Sequence, residues 1–310
     1  MSIVPAQADT IAQAGAILRA GGLVAVPTET VYGLAADAAN AQAIARLYEA
    51  KGRPLFNPLI VHVRDADEAH AHGAMHARAK TLAEAFWPGP FTLVLPRRAE
   101  SSVAELACAG LSTIALRVPA HAVAQGVLQA LGRPFAAPSA NRSGHVSPTT
   151  AQHVWEEFGD AIDFILDAGP CAVGVESSIV AVDADGRARL LRPGGVARER
   201  IEALIGPLEP AGGGVEAPGM LETHYAPRAR LRLNAEAPRE GEAYLGFGAF
   251  DFGALNLSSR GDLTEAAANL YAHLRALDAD GADVIAVAPI PAEGLGEAIA
   301  DRLKRAAAGR

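Results

Sequence analysis

Short apolar runs of four to six residues recur along the first two thirds of the chain: LVAV (23–26), PLIVHV (58–63), FTLVL (91–95), TIALRV (113–118), FAAP (135–138), IDFIL (162–166), SIVAV (178–182) and ARLLR (188–192). Continuous runs of this length read as buried strands. Helix-period stretches lie between them. Asp9 or Thr10 can cap a first helix that Gly21 and Gly22 end. Asn40 can cap AQAIARLYEAKG, and a helix runs from about Ala77 to Phe86. Another starts near Ala122, Thr149 or Thr150 caps one through Phe158, and RERIEALIG closes the series. Capping residues before each apolar-periodic stretch and glycines after several of them support these boundaries. Alternation of this kind predicts an α/β domain with a twisted sheet.

Residues 207–227, PLEPAGGGVEAPGMLETHYAP, hold four prolines and four glycines and read as a linker. Its Met220, His224 and Tyr225 are unusual in a solvated spacer. Beyond it come strands at 229–233, 243–247 and 283–287, with helices near 263–277 and 295–308, a smaller α/β, Rossmann-like unit. The expected organisation is therefore a catalytic domain over 1–207, a linker or lid over 208–228 and a small C-terminal domain over 229–310.

The 310 residues are half hydrophobic and carry a net charge of −8. Up to residue 210 there are 17 basic and 21 acidic residues, and beyond it 10 and 14, so each part carries −4. Without a basic tail or face, strong direct binding of nucleic acid is not expected. MSIVPAQADT has no basic and apolar leader, no apolar stretch is long enough for a bilayer, and the two cysteines lack metal-ligand spacing. A reduced, cytoplasmic setting without membrane contact is expected.

No P-loop, G-x-G-x-x-G, H-E-x-x-H or G-x-S-x-G pattern is present in a fitting context. Polar clusters instead gather at strand ends: PTETVYG (27–33), Lys51-Gly-Arg53-Pro with Asn57, Thr113 and Arg117 on one strand, PSAN (138–141) with Ser147, GVESS (174–178) and LRPGG (191–195). Taken singly, each has a plainer reading. PTET and PSAN make turns, a cationic helix end suits the helix dipole, His62 suits a core, Arg117 can pair with a structural carboxylate, and Tyr225 can anchor a linker. Together they fit a small polar substrate beside a polyphosphate, since ligands of α/β sheets gather at strand ends. Lys51 and Arg53 supply a point charge and a forked donor for phosphate, and Pro54 stiffens the chain after them. Ser139, Asn141 and Ser147 can donate to phosphate or ribose, and Arg117 can hold a carboxylate bidentately.

The ordered set PTETVYGL, KGRP–NPLIVHV, WPGPFTLVL, STIALRVP, APSAN, VSPT, GVESSIV and LLRPGG resembles the YrdC-like family. APGMLETHYAP and GLGEAIADRLKRA extend the resemblance to its long form, the threonylcarbamoyl-AMP synthases that add a linker and a C-terminal domain. Ser178 departs from the threonine common there but keeps the hydroxyl. The resemblance implies an open, mixed α/β sheet with a concave, positive site. It also implies a nucleotidyl transfer that joins L-threonine, bicarbonate and ATP into threonylcarbamoyl-adenylate and pyrophosphate. The product would pass to a transfer complex that makes N6-threonylcarbamoyladenosine in tRNA.

By the same resemblance, Lys51 and Arg53 are catalytic. ATP meets Lys51, Arg53, Asn57, Thr113, Ser139, Asn141, Ser147, Arg192 and Tyr225, the last as part of a linker lid. Threonine or its carbamate meets Thr30, His62, Arg117, Ala137 and Ser177. Mg2+ is expected with ATP, riding on phosphates and water, as the chain shows no metal-ligand cluster. Two rival functions stay open on the sequence: an RNA-binding translation or ribosome-assembly factor, and a carbamoyl-phosphate-using transferase.

Overall fold

The computed structural model describes residues 3–220, 225–250 and 255–308. His224 lies outside them. Eleven strands build the main sheet: β1 (Ile3–Pro5), β2 (Val24–Val26), β3 (Gly33–Asp37), β4 (Ile60–His62), β5 (Phe91–Pro96), β6 (Thr113–Arg117), β7 (Phe135–Ala136), β8 (Phe164–Asp167), β9 (Ser178–Val182), β10 (Ala188–Arg192) and β11 (Glu209–Pro210). Their order is β1-β8-β2-β3-β7-β4-β6-β5-β9-β10-β11, with mixed parallel and antiparallel pairing.

Among the described residues seven α-helices accompany these strands: α1 (Ala8–Arg19), α2 (Ala41–Lys51), α3 (Ala66–His72), α4 (Ala77–Phe86), α5 (Ala122–Leu131), α6 (Ala151–Phe158) and α7 (Arg198–Ile205). Two caps follow the sequence reading. Asn40 accepts from the Gln42 and Ala43 amides, and Thr150 accepts from the His153 amide. At α1 the N-cap is Gln7 rather than Asp9 or Thr10, and Thr10 instead closes a capping box by accepting from the Gln7 amide at 2.8 Å.

Strand alternation divides the apolar residues between two faces. Leu34, Val61, Leu93, Leu116, Ala136 and Val180 point to one, where α2, α3, α4, α6 and α7 cover them. Val24, Val26, Ala35 and Phe135 point to the other, where α1 and α5 cover only the β8-β2-β3-β7 part. Across β4, β6, β5, β9 and β10 this second face carries no helix among the described residues. Its Ile60, Val94, Ala115, Ile179, Ala181 and Leu191 pack instead against Ala217 and Met220 of the linker. The linker is thus no solvated spacer. It begins as β11, paired with β10, and then lies across the open face.

A second sheet of four parallel strands follows: β12 (Arg230–Arg232), β13 (Ala243–Gly246), β14 (Leu255–Asn256) and β15 (Val284–Val287), in the order β12-β15-β13-β14. Helices α8 (Leu263–Ala279) and α9 (Leu295–Ala307) pack on Leu245, Ile285 and Val287. The same cluster takes in Val31, Val146 and Val175 from the first sheet's loops, so the smaller unit docks onto GVESS and its neighbours. Gly174 permits this approach. Its φ is +75°, and a Cβ there would come within 2.3 Å of the Ala267 carbonyl oxygen on α8.

Candidate active site

The hollow lies on the open face of the main sheet. Thr30, Arg53, Ile60, Arg117, Ala137, Ser139, Glu176, Ser177 and Arg192 line it, and Pro218, Gly219 and Tyr225 of the linker wall it off. Local structure delivers each group. Gly52 ends α2 in the left-handed conformation at φ 59°, turning the chain so that Lys51 and Arg53 both point inward. Arg117 ends β6 beside His62 on β4, and Arg192 ends β10.

Arg53 and Arg192 line the hollow and Lys51 stands behind the lining beside Arg53, and all three are buried: Lys51 3%, Arg53 7% and Arg192 3% exposed. Each is held by neutral oxygens. Lys51 Nζ donates to the carbonyl of Ser139 at 2.6 Å and to that of Asn141. Arg53 donates from Nε to the Asn57 carbonyl at 3.0 Å and from Nη2 to Asn57 Oδ1 and the Pro58 carbonyl, both at 2.7 Å. Arg192 donates from Nη2 to the Ser177 carbonyl at 2.9 Å and from Nη1 to the Pro218 carbonyl at 3.2 Å. Among the described residues none of the three forms a salt bridge. Burial, with Arg53 beside it, holds the Lys51 ammonium well below its usual pKa. Burial also lowers Arg53, to about 10, with Arg192 acting the same way. Buried like charges this close oppose one another's ionisation.

Arg117 and its neighbours form a second group. Arg117 Nη2 donates to Glu29 Oε1 at 2.7 Å, and Arg117 Nε donates to the Gly89 carbonyl at 3.3 Å. Burial alone would raise the Glu29 carboxyl, but the Arg117 charge and hydrogen bond lower it. His62 stacks on Phe135 with ring centroids 5.1 Å apart, and its buried Nδ1 has no hydrogen-bond partner among the described residues. Burial and then the Arg117 charge push His62 down to about 3, so its ring is neutral at physiological pH. The hydroxyls are linked too. Thr28 and Thr30 lie 2.9 Å apart, and Thr92 and Ser177 lie 2.8 Å apart.

A pH prediction follows from His62. Its folded pKa is below the unfolded value, so its contribution to stability is present above about pH 6.5 and is lost as the pH falls toward 3. Between pH 7 and pH 5 this costs about 2 kcal/mol. Urea unfolding at the two pH values measures it, and His62→Gln should reduce the difference by that amount.

The structure sorts the expected site residues unevenly. Thr30, Arg53, Arg117, Ala137, Ser139, Ser177, Arg192 and Tyr225 line the hollow. Lys51, Asn57, His62, Asn141 and Ser147 stand behind the lining, Asn57 fixing Arg53, Asn141 accepting from Lys51, and Ser147 donating to Glu176 at 2.6 Å. Thr113 is not in the lining. It shares the face of Arg117 but sits at the other end of β6, opposite Pro96 and partly exposed. An even offset on a strand fixes the face, yet four residues span about 13 Å. Glu29 and Glu176 were not singled out from the sequence. Each sits inside a turn-like cluster, and the only signal was an acidic residue beside hydroxyls close to arginines.

The open sheet, the cation-lined hollow and the linker across its mouth define the YrdC-like class of domain, here joined to a small parallel α/β unit. Comparison with known families agrees. Residues 16–194 match the model described as Telomere recombination, for Sua5, YciO and YrdC, and residues 196–308 match the model described as Threonylcarbamoyl-AMP synthase, C-terminal domain. The threonylcarbamoyl-AMP synthase of Bacillus subtilis is 42% identical over 97% of this chain and 93% of its own. That of Pyrococcus abyssi is 40% identical over 94% and 92%. A crystal structure of P. abyssi Sua5 complexed with L-threonine superposes with a TM-score of 0.91 at 37% identity, covering 100% of this chain and 98% of that one. The chain belongs to the Sua5 family of threonylcarbamoyl-AMP synthases. No helix among the described residues is long and apolar enough to cross a membrane.

Proposed function

We propose that the chain makes threonylcarbamoyl-adenylate and pyrophosphate from L-threonine, bicarbonate and ATP, for N6-threonylcarbamoyladenosine formation in tRNA. The observation that carries this reading is that Arg53 and Arg192, with Lys51 beside Arg53, are buried and without carboxylate partners among the described residues, in the same hollow that a second cationic group, Arg117, lines. A polyphosphate suits the first group and an amino-acid carboxylate the second. The relative crystallised with L-threonine supports the second assignment.

In this reading the threonine carboxylate meets Arg117, and its neutral amine forms a carbamate, releasing a proton on adding CO2 or a water on reacting with bicarbonate. A free α-amino group has a pKa of about 8, so roughly a tenth is neutral at pH 7, and a strong protein base is not obligatory. The carbamate oxygen then attacks the α-phosphorus, and pyrophosphate leaves. Arg53, Lys51 and Arg192 stabilise charge on the phosphate oxygens, the main catalytic contribution in phosphoryl-type transfer. Among the described residues no group of three or more His, Cys, Asp or Glu is placed to hold a metal ion. Mg2+ would therefore arrive on the ATP phosphates, its other positions filled by water.

The hollow's free volume is about 40 Å3, room for a few waters and far less than a nucleotide needs. The linker wall must therefore shift to admit ATP and return to shield the labile carbamate from water. Gly219 suits such close contact, as a Cβ there would lie 2.8 Å from Tyr225 Oη and 2.9 Å from Arg192 Cδ.

Lys51 supplies the test. Its pKa is depressed in the free protein and rises when a triphosphate neutralises the cluster, so over the pH range between those two values ATP binding takes up a proton and affinity falls as pH rises. Calorimetry in buffers of different ionisation enthalpy should show net proton uptake that Lys51→Met abolishes. Equal uptake in that variant contradicts the assignment.

A further inference from the structure

Among the described residues Glu176 is the one carboxylate lining the hollow, and two of its three side-chain partners come from the C-terminal unit. Arg302 on α9 is 1% exposed, far inside the usual limit for an arginine. Its Nε donates to Glu176 Oε2 at 2.8 Å, and its Nη2 donates to the Pro193 carbonyl at 3.0 Å. Tyr271 on α8 donates its hydroxyl to Glu176 Oε2, also at 2.8 Å. The same two side chains bracket the linker tyrosine. The Arg302 guanidinium carbon lies 5.1 Å from the Tyr225 ring centroid, and the Tyr271 ring stacks on it at 5.8 Å with 23° between planes. Tyr225 itself has a φ of +64°, an unfavourable conformation for a non-glycine residue that surrounding contacts must hold.

We infer that Arg302 and Tyr271 are positioning residues for the adenylate-forming reaction: from the C-terminal unit they seat Tyr225 at the mouth of the hollow and fix the Glu176 carboxylate in its wall. The second unit is thereby the latch of the linker, and it sets how long nucleotide is retained. Burial alone would raise the Glu176 carboxyl. Arg302, Arg192 and the hydrogen bonds outweigh it and hold the group at about 2, so the latch stays ionised throughout the working pH range. An interdomain ion pair that merely glued the units together would not need an aromatic ring from the linker held between its arginine and its tyrosine. The inference rests on the proposed reaction for its kinetic consequence, but the seating of Tyr225 does not.

The test uses the full chain and two independent variants. Arg302→Met alone would leave Glu176 buried and unpaired, so it is combined with Glu176→Gln to keep the interior neutral. Tyr271→Leu removes the stacked ring and nearly preserves volume, with Tyr271→Phe as the conservative control. Amide hydrogen exchange of residues 217–220 and 225–228, without ligand, should speed up about tenfold in the double variant and in Tyr271→Leu, and should stay near wild type in Tyr271→Phe. The dissociation constant for ATP, by calorimetry, should rise roughly tenfold in Tyr271→Leu but not change further when Tyr225→Ala is already present. The KM for threonine should hold. Unchanged exchange at those amides in Tyr271→Leu overturns the inference, as does an equal loss of ATP affinity on the Tyr225→Ala background. A wild-type chain that releases no pyrophosphate refutes the proposed reaction instead, and the exchange comparison still decides the latch.

Discussion

Arg53→Ala should lower threonine-dependent pyrophosphate release by about 10²–10³-fold while the chain remains folded. Arg53 Nε and Nη2 are spent on Asn57 and Pro58, which lock the guanidinium in place. The guanidinium, which lines the hollow close to Arg192, is so placed to donate to a phosphate oxygen. A fixed donor facing developing charge in a buried site is worth several kcal/mol, and alanine removes it entirely. The structural loss is smaller, because Asn57 keeps its place at the entry to β4 and Lys51 still ties the 139–141 loop through its two carbonyl contacts. Arg53→Lys should recover only part of the rate, since an ammonium cannot reproduce both the lock and the donor to phosphate. A steady-state assay of pyrophosphate release, with circular dichroism as the folding control, measures both. Normal turnover in a folded Arg53→Ala protein would remove this residue from the reaction.

Arg117→Ala should raise the KM for threonine about 100-fold, with a much smaller change for ATP. The guanidinium is 4% exposed, and Glu29 is its carboxylate partner. Deleting the arginine strands a largely buried carboxylate, its side chain 12% exposed, and should cost up to about 3 kcal/mol of stability as well. The two effects can be separated. Arg117→Met combined with Glu29→Gln removes both charges, so stability should return while threonine binding does not. If threonine affinity returns together with stability, Arg117 is a structural cation, the plainer reading its sequence context allowed.

Much of this was readable residue by residue, and the reasons differ. The β4, β5, β9 and β10 runs announce themselves because Val, Ile and Leu dominate them, and Asn40 marks the start of α2, which places Lys51 and Arg53 at a helix end. Strand β3, Gly33–Asp37, escaped notice because Gly, Ala and Asp have low strand propensity, and it forms because β2 and β7 flank it. Strand β11 was hidden within proline-rich linker sequence, where pairing with β10 decides the outcome. The hollow was legible as a list of polar clusters at strand ends, but not its depth. Thr113 shows the limit, for strand periodicity gives a face and not a position along it. Arg302 was wholly illegible. In GLGEAIADRLKRA it looks like one more surface arginine, and its partner Glu176 lies 126 positions away in the chain. Only packing of the two units brings them together.

The central claim is that two cationic groups on one sheet face hold an amino acid beside a nucleotide and join them through a carbamate. Incubating the protein with L-threonine, 13C-bicarbonate and MgATP, then analysing the quenched mixture by mass spectrometry, tests it most directly. The account predicts threonylcarbamoyl-adenylate carrying one 13C, formed in step with pyrophosphate and lost in Arg53→Ala. Threonyl-adenylate without the labelled carbon, or ADP and phosphate in place of pyrophosphate, would contradict it.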